Sequence, residues 1–118
     1  IKNFLLDQNF VSGIGNIYAS EILFLSKINP FKQADLIKKK DYKKILINSK
    51  KVLIKAIKKG GSSIRDFKNT SGKKGGFQKN FNVYERNGLI CKRQHCNGII
   101  QKKIITNRST FFCNICQI

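Results

Sequence analysis

Acidic residues are scarce in this chain: six Asp and Glu stand against 24 Lys and Arg among 118 residues. They are also scattered, so no carboxylate pair is spaced for general acid–base work. The single histidine, His95, lies between two cysteines, and no Ser-His-Asp or Cys-His arrangement can be read. Methionine is absent and the chain opens at Ile1 in what reads as mid-helix, so a fragment or trimmed product of a longer protein is expected. No apolar run is long enough to span a bilayer. No secretory signal and no internal repeat are expected from the sequence. By itself the chain reads as a binding module.

What the chain has is positive charge, +18 in formal net terms with a pI of ≈ 10.1. A low-GC genome enriches Lys, Asn and Ile, and all three are abundant here. Such drift accounts for lysine over arginine but not for the shortage of Asp and Glu. A polyanion is therefore the expected partner, with an anionic membrane surface as the weaker alternative. The four arginines, Arg65, Arg86, Arg93 and Arg108, stand out because they resisted replacement by lysine.

Four cysteines close the chain as Cys91-x4-Cys96 and Cys113-x2-Cys116. Two close pairs can each clamp one side of a tetrahedral zinc ion. Two disulfides or unlinked thiols are the alternatives, and nothing else points to an oxidising compartment. His95 is an alternative ligand to Cys96, but four cysteines make the simpler set. A closed four-thiolate site is structural and carries no catalysis. A segment of about 30 residues cannot hold itself by apolar burial, so it needs its metal. Between the pairs, two apolar-basic runs, Ile99 to Ile105 and Ser109 to Phe112, flank a turn at Thr106-Asn107-Arg108. The pattern predicts a hairpin with Arg108 at its tip, where it can clamp a phosphate or simply face solvent.

Upstream, residues 2–11 have helical composition. Gly13-Ile14-Gly15-Asn16 is a tight turn, with Asn16 the expected N-cap of a helix running to about Lys27 and stopped by Asn29-Pro30. Ile14, Tyr18, Ile22 and Leu25 fall on one face of it. A glycine turn feeding a helix N-terminus suits a phosphate, although many such turns bind nothing. The clearest helix is 41–59, capped by Asp41 and ended by Gly60-Gly61. Tyr42, Ile45, Leu46, Ser49, Val52 and Leu53 follow the spacing of a buried face, continued by Ala56 and Ile57. Most lysines take the other side, more often a solvated face than a DNA site. Ser62 or Ser63 can cap a short helix through Phe67. Residues 69–80 are glycine-rich and basic, without the Gly-Lys-Ser/Thr ending of a P-loop. They read as a linker or as a flap that orders over a ligand. Lys2, an amine near a chain end, is a surface lysine by default.

In this order the parts resemble the C-terminal half of the bacterial formamidopyrimidine-DNA glycosylase family. Lys2 to Gln8 with Val11 to Glu21 resembles its helix–two-turns–helix signature. Gly60 to Phe67 resembles the stretch before its lesion-recognition loop, and Arg108 to Gln117 its zinc-finger ending. The resemblance implies a mainly α fold, a helix–two-turns–helix bundle followed by a small four-cysteine zinc-finger β-hairpin. It divides the chain into a helical DNA-binding domain (1–68), a lesion-recognition loop and connector (69–87) and a zinc-finger hairpin (88–118).

By that resemblance Lys2, Gly13, Gly15, Asn16, Tyr84 and Arg108 contact DNA, Lys2 near the damaged base or its opened sugar. The loop Ser71, Gly72, Lys73, Lys74, Gly75, Gly76 and Phe77 closes over a flipped oxidised purine. Cys91, Cys96, Cys113 and Cys116 hold one structural Zn2+. Gly75-Gly76 departs from the family, which often has an aromatic or proline there. The family's N-terminal β-sandwich domain, with its proline nucleophile and glutamate, is not in this sequence. The parent protein is thus expected to be a glycosylase and AP lyase acting by β,δ-elimination, and this chain to bind DNA without excising bases.

The expected partner is double-stranded DNA with an oxidised base or abasic site, bound by a monomer in a bacterial cytoplasm and not at a membrane. The alternatives are a non-enzymatic zinc-ribbon nucleic-acid binder and the endonuclease VIII branch, which acts on oxidised pyrimidines. Gly60 to Phe67 and Ser71 to Phe77 favour the formamidopyrimidine branch.

Overall fold

A computed structural model of the chain describes residues 1–7, 15–58 and 81–118. The elements are α1 (Lys2–Leu6), α2 (Asn16–Leu25), a 3-10 turn (Ala34–Leu36), α3 (Lys39–Lys58), β1 (Ile100–Ile105) and β2 (Arg108–Cys113). Small helices thus precede a two-stranded antiparallel hairpin. The expected helix at 62–67, the loop at 69–80 and Gly13 lie outside the described residues.

The sequence of α2 is apolar nearly all round, the pattern of a helix covered on more than one side. Ala19, Ile22 and Leu23 pack with Leu5, Ile28 and Ile45 in one core. Phe24 packs with Val83, Tyr84, Ile100 and Phe111 in a second, flanked by Ile17 and Leu25. Leu25 therefore does not share a core with Ile22, as the spacing suggested.

Several boundaries differ from the sequence reading. Helix α1 stops at Leu6, because Asp7 is extended (φ −73°, ψ 110°). The N-cap of α2 is Gly15, and Asn16 is the first helical residue with its side chain turned elsewhere. Nor does α2 wait for Asn29-Pro30. Lys27 takes a left-handed conformation (φ 60°), its N–H bonds Phe24 O and the N–H of Ile28 bonds Leu23 O. That is a Schellman stop with lysine where glycine is usual.

Helix α3 begins before Asp41, which lies in its first turn and pairs with Lys44 at 3.5 Å. Ile45 is buried, but Leu46 is 58% and Tyr42 39% exposed. The apolar arc of α3 is wider than the strip along which it meets α2.

The hairpin register pairs Ile105 with Arg108. The turn is therefore Thr106-Asn107 alone, both with positive φ (48° and 63°). A two-residue turn of this kind matches the twist of its strands, which draws Arg108 off the tip and into the ladder. Ile99 falls outside β1 and forms an isolated bridge with Ile90. Both faces of β2 are covered: Phe111 meets Tyr84 edge-on at 5.0 Å and Phe112 meets Phe31 at 5.5 Å.

Helix α2 is joined to the second core by the buried carboxylate of Glu21. It accepts from Asn82 N (2.7 Å), Asn82 Nδ2 (3.0 Å), Val83 N (2.9 Å) and Tyr84 N (3.1 Å). The C-terminus is tied on separately. Gln117 Oε1 accepts from Cys113 N at 2.8 Å and Gln117 Nε2 donates to Ile28 O at 2.9 Å. Glu21→Gln replaces one acceptor with a donor facing N–H groups, and should cost about 2–3 kcal/mol in urea unfolding. A loss below about 0.5 kcal/mol would show that these bonds are not what docks the two halves.

Candidate metal centre and anion-binding site

The Cys91–Cys96 knuckle precedes β1, and Cys113 and Cys116 follow from the end of β2. Their four Sγ atoms lie within 4.8 Å of one another, with Cys91–Cys116 at 3.9 Å and Cys96–Cys113 at 3.6 Å. Thiolates around a tetrahedral ion with about 2.3 Å bonds sit about 3.8 Å apart, whereas a disulfide would need about 2.05 Å. All four cysteines are free. The four form a metal-binding cluster, and His95, exposed and left-handed (φ 65°), takes no part in it.

Backbone amides face the sulfurs, Arg93 N on Cys91 at 3.4 Å and Gly98 N on Cys96 at 3.5 Å. Burial and the neighbouring thiols push the Cys91 thiol up to about 12. Cys113 is drawn down to about 7 despite burial, because the N–H groups of Cys116 and Ile115 bond its sulfur. Gly98, unremarked in the sequence, is required by space: a Cβ there would lie 2.4 Å from Cys113 Sγ.

The second site forms where α1, α2 and β2 meet. The carbonyl oxygen of Ser109 accepts from Lys2 Nζ at 3.1 Å and from Asn16 Nδ2 at 3.0 Å. Lys2 also donates to Thr110 Oγ1 at 2.7 Å. Lys2 is no surface lysine, being 1% exposed. Burial and then the charge of Arg108 lower its pKa to about 8. Arg108 itself is exposed, one residue before the shared carbonyl.

Tyr84 is buried, with its hydroxyl toward the Asn16 side chain. Burial and then Glu85 raise its pKa, with the polar Asn16 side chain opposing them. Asn16 Oδ1 is buried and has no partner among the described residues. Gly15 leads into the helix, whose first N–H groups have no intrahelical acceptor. Two cations, an oriented amide and a positive helix end are thus gathered together, an arrangement suited to an anion. Gly13 and Ser71 to Phe77 lie outside the described residues.

Sequence reasoning missed Glu21, Arg93, Gly98, Thr110 and Gln117. Arg93 stacks 4.4 Å from the Phe24 ring centroid and donates to Phe24 O, joining the knuckle to α2. A lone glutamate in an otherwise apolar helix was the one available signal for Glu21.

Residues 1–68 match the family model of the formamidopyrimidine-DNA glycosylase H2TH domain. The chain belongs to this family. It is similar to the formamidopyrimidine-DNA glycosylase of Alteromonas mediterranea, 45% identical over 117 residues, which are 99% of this chain and 43% of that protein. It is 44% identical to that of Roseobacter denitrificans, over 99% of this chain and 41% of the relative. Among solved structures it resembles Lactococcus lactis Fpg bound to abasic-site DNA, with TM-score 0.82 and 38% identity over 99% of this chain and 41% of that one. It also resembles MutM bound to DNA containing carbocyclic 8-oxo-G, with TM-score 0.83 and 40% identity over 98% of this chain and 41% of that one. The chain therefore spans well under half the length of these relatives.

Gly98→Ala should weaken metal binding roughly tenfold or more in a chelator competition, since the cluster cannot close without moving Cys113. Unchanged affinity would mean that the knuckle yields. Lys2 predicts a pH effect. Its pKa is lowered in the fold from 10.5 to about 8, so between those values the unfolded chain binds more protons. Stability due to Lys2 must then rise with pH across that window. The stability difference between the wild type and Lys2→Met should shift toward the wild type from pH 8 to 10.5. A flat difference would show that Lys2 titrates like an exposed lysine.

Proposed function

We propose that this chain is the DNA-binding half of a bifunctional glycosylase and AP lyase that removes oxidised purines in base excision repair. The observation that carries the reading is the convergence of Lys2 and Asn16 on the Ser109 carbonyl, beside Arg108 and the open end of α2. Asn16 and the α2 amides would hold a phosphate next to the lesion. Arg108 would grip the backbone from the first residue of β2 and Lys2 would serve the damaged nucleotide. Tyr84, buried behind them, would act by orienting Asn16. The helix–two-turns–helix arrangement and the loop Ser71 to Phe77 keep the roles that the family resemblance implies. DNA in the relatives' complexes, with abasic or 8-oxo-G sites, supports this partner.

Cys91, Cys96, Cys113 and Cys116 would hold one Zn2+, because four thiolates at tetrahedral spacing suit that ion. Its contribution is structural: it fixes the end of β2 and hence Ser109 and Arg108. Base excision and strand cleavage belong to the longer parent protein, whose proline amine is not in this chain. The chain alone binds, as a monomer, without excising.

The test is fluorescence anisotropy on a duplex holding one stable abasic-site analogue, against the same duplex intact, with and without a zinc chelator. Preference for the lesion is expected, and it should be lost on chelation. Arg108→Ala should weaken binding roughly tenfold while the metal stays bound. Equal, purely salt-dependent binding to both duplexes would overturn lesion recognition by this half.

A further inference from the structure

Helix α3 carries eight lysines, Lys39, Lys40, Lys43, Lys44, Lys50, Lys51, Lys55 and Lys58, against one acid, Asp41. At 3.6 residues per turn, Lys40, Lys44, Lys51 and Lys55 fall within a sector of about 60°. All four are exposed. They form a row along about 22 Å of helix at 1.5 Å per residue.

Local helix physics opposes this arrangement. Lys40 and Lys44, and again Lys51 and Lys55, are like charges four residues apart, which repel. Lys39 and Lys40 stand at the positive end of the helix dipole. The one ion pair found among the described residues, Lys44 with Asp41, relieves a single member of the row. Genomic drift toward lysine does not explain why acids are missing between the lysines. A partner that supplies closely spaced negative charge would offset the repulsion.

A duplex carries one phosphate per about 1.7 Å of axis, or about 13 along the length of this row. The row is also separate from the junction described above. Helix α3 packs on α2 through Ile45, and Asn48 donates to Ser26 Oγ just beyond the C-terminal end of α2 at 3.0 Å. Asn16 lies ten residues back, about 15 Å along the helix.

We propose that the Lys40–Lys44–Lys51–Lys55 row is a second double-stranded DNA surface, gripping phosphates of undamaged duplex without reading sequence. It rests on the DNA reading of this chain but not on lesion recognition. Such a surface would let the protein hold and search intact DNA while the Ser109 junction engages a lesion.

The test compares the 118-residue chain with a Lys44→Gln/Lys51→Gln/Lys55→Gln variant. Binding is measured on an undamaged duplex of about 30 base pairs across a salt series. A Lys27→Gln/Lys32→Gln/Lys38→Gln control removes the same charge elsewhere. Three lost phosphate contacts should flatten the slope of log K against log salt by about 2.7. Affinity for undamaged duplex should fall at least tenfold more than in the control, and the ratio of abasic to intact binding should not change. A slope no flatter than the control's would overturn the proposal. So would loss of binding to anionic vesicles with DNA binding intact.

If the wild type shows no lesion preference while the α3 variant loses its slope, the lesion reading fails and this surface stands. Glutamine matches lysine in helix propensity, and circular dichroism checks the fold. Should the variant unfold, acetylation of the wild type decides instead. Lys44, Lys51 and Lys55 should be shielded by intact duplex, and unshielded lysines would refute the idea.

Discussion

One buried carboxylate organises this structure. Helix α2 is apolar on nearly every side and, on packing alone, nothing would fix how it meets the segment before the cysteines. Glu21 supplies the direction. Its two oxygens take three backbone N–H groups and one amide from Asn82 to Tyr84, donors that would otherwise be buried without acceptors. Hydrogen bonds to an ionised acceptor are the stronger kind, and they are directional where the apolar contact is not. The consequences run outward. With its backbone held, Tyr84 packs edge-on to Phe111 and Phe81, its hydroxyl meets Asn16, and Asn16 reaches Ser109. A contact inside the protein thereby sets a group at the surface.

The same economy of acids governs the cations that face the protein. Lys2 donates to Ser109 O, Arg86 to Asn82 O and Ile90 O, Arg93 to Phe24 O, and Lys92 to Phe81 O. Carbonyl oxygens solvate these groups where many proteins would use carboxylates. The carbonyls supply acceptors but do not neutralise the charge, and Arg93 Nε is buried with no partner among the described residues. These four cations are therefore solvated by the fold without being neutralised, in a chain whose formal net charge is +18. Arg86 and Arg93 also explain why arginine persists at those positions: a forked donor can bridge two carbonyls or stack on a ring, which an ammonium does less well. Among the described arginines, Arg108 is the one that is exposed.

Sequence spacing made the cysteine cluster legible, because metal geometry constrains a few residues close together in the chain. The hairpin and the long helix were readable for similarly local reasons. What failed depended on rare conformations or on distant partners. Lys27 in the left-handed region ends α2 without the glycine that usually marks such a stop. Thr106, a β-branched residue, takes a positive φ that sequence rules disfavour, so Arg108 was read as a tip rather than a strand residue. Lys2 meets partners more than a hundred residues away, and no local pattern distinguishes it from the nineteen other lysines. Gly98 is fixed by a sulfur across the knuckle, invisible until the fold brings them together.

The sulfur cluster and the cationic junction are joined through one strand. Cys113 ends the strand that begins with Arg108 and contains Ser109 and Thr110. The amide of Cys113 is held by Gln117, which in turn holds Ile28 O, and the last residue bonds Lys27 O and the N–H of Asn29. The far end of β2 is thus fastened twice, by the sulfurs and by the tail against the end of α2. Its near end is fastened by Lys2 and Asn16. A two-stranded hairpin is marginal alone, and here both ends of β2 are pinned to helices. The sulfur cluster lies well away from the cationic junction, yet it decides where Ser109 presents its carbonyl. Four clustered sulfurs can therefore set the position of Ser109 and Arg108 without touching either.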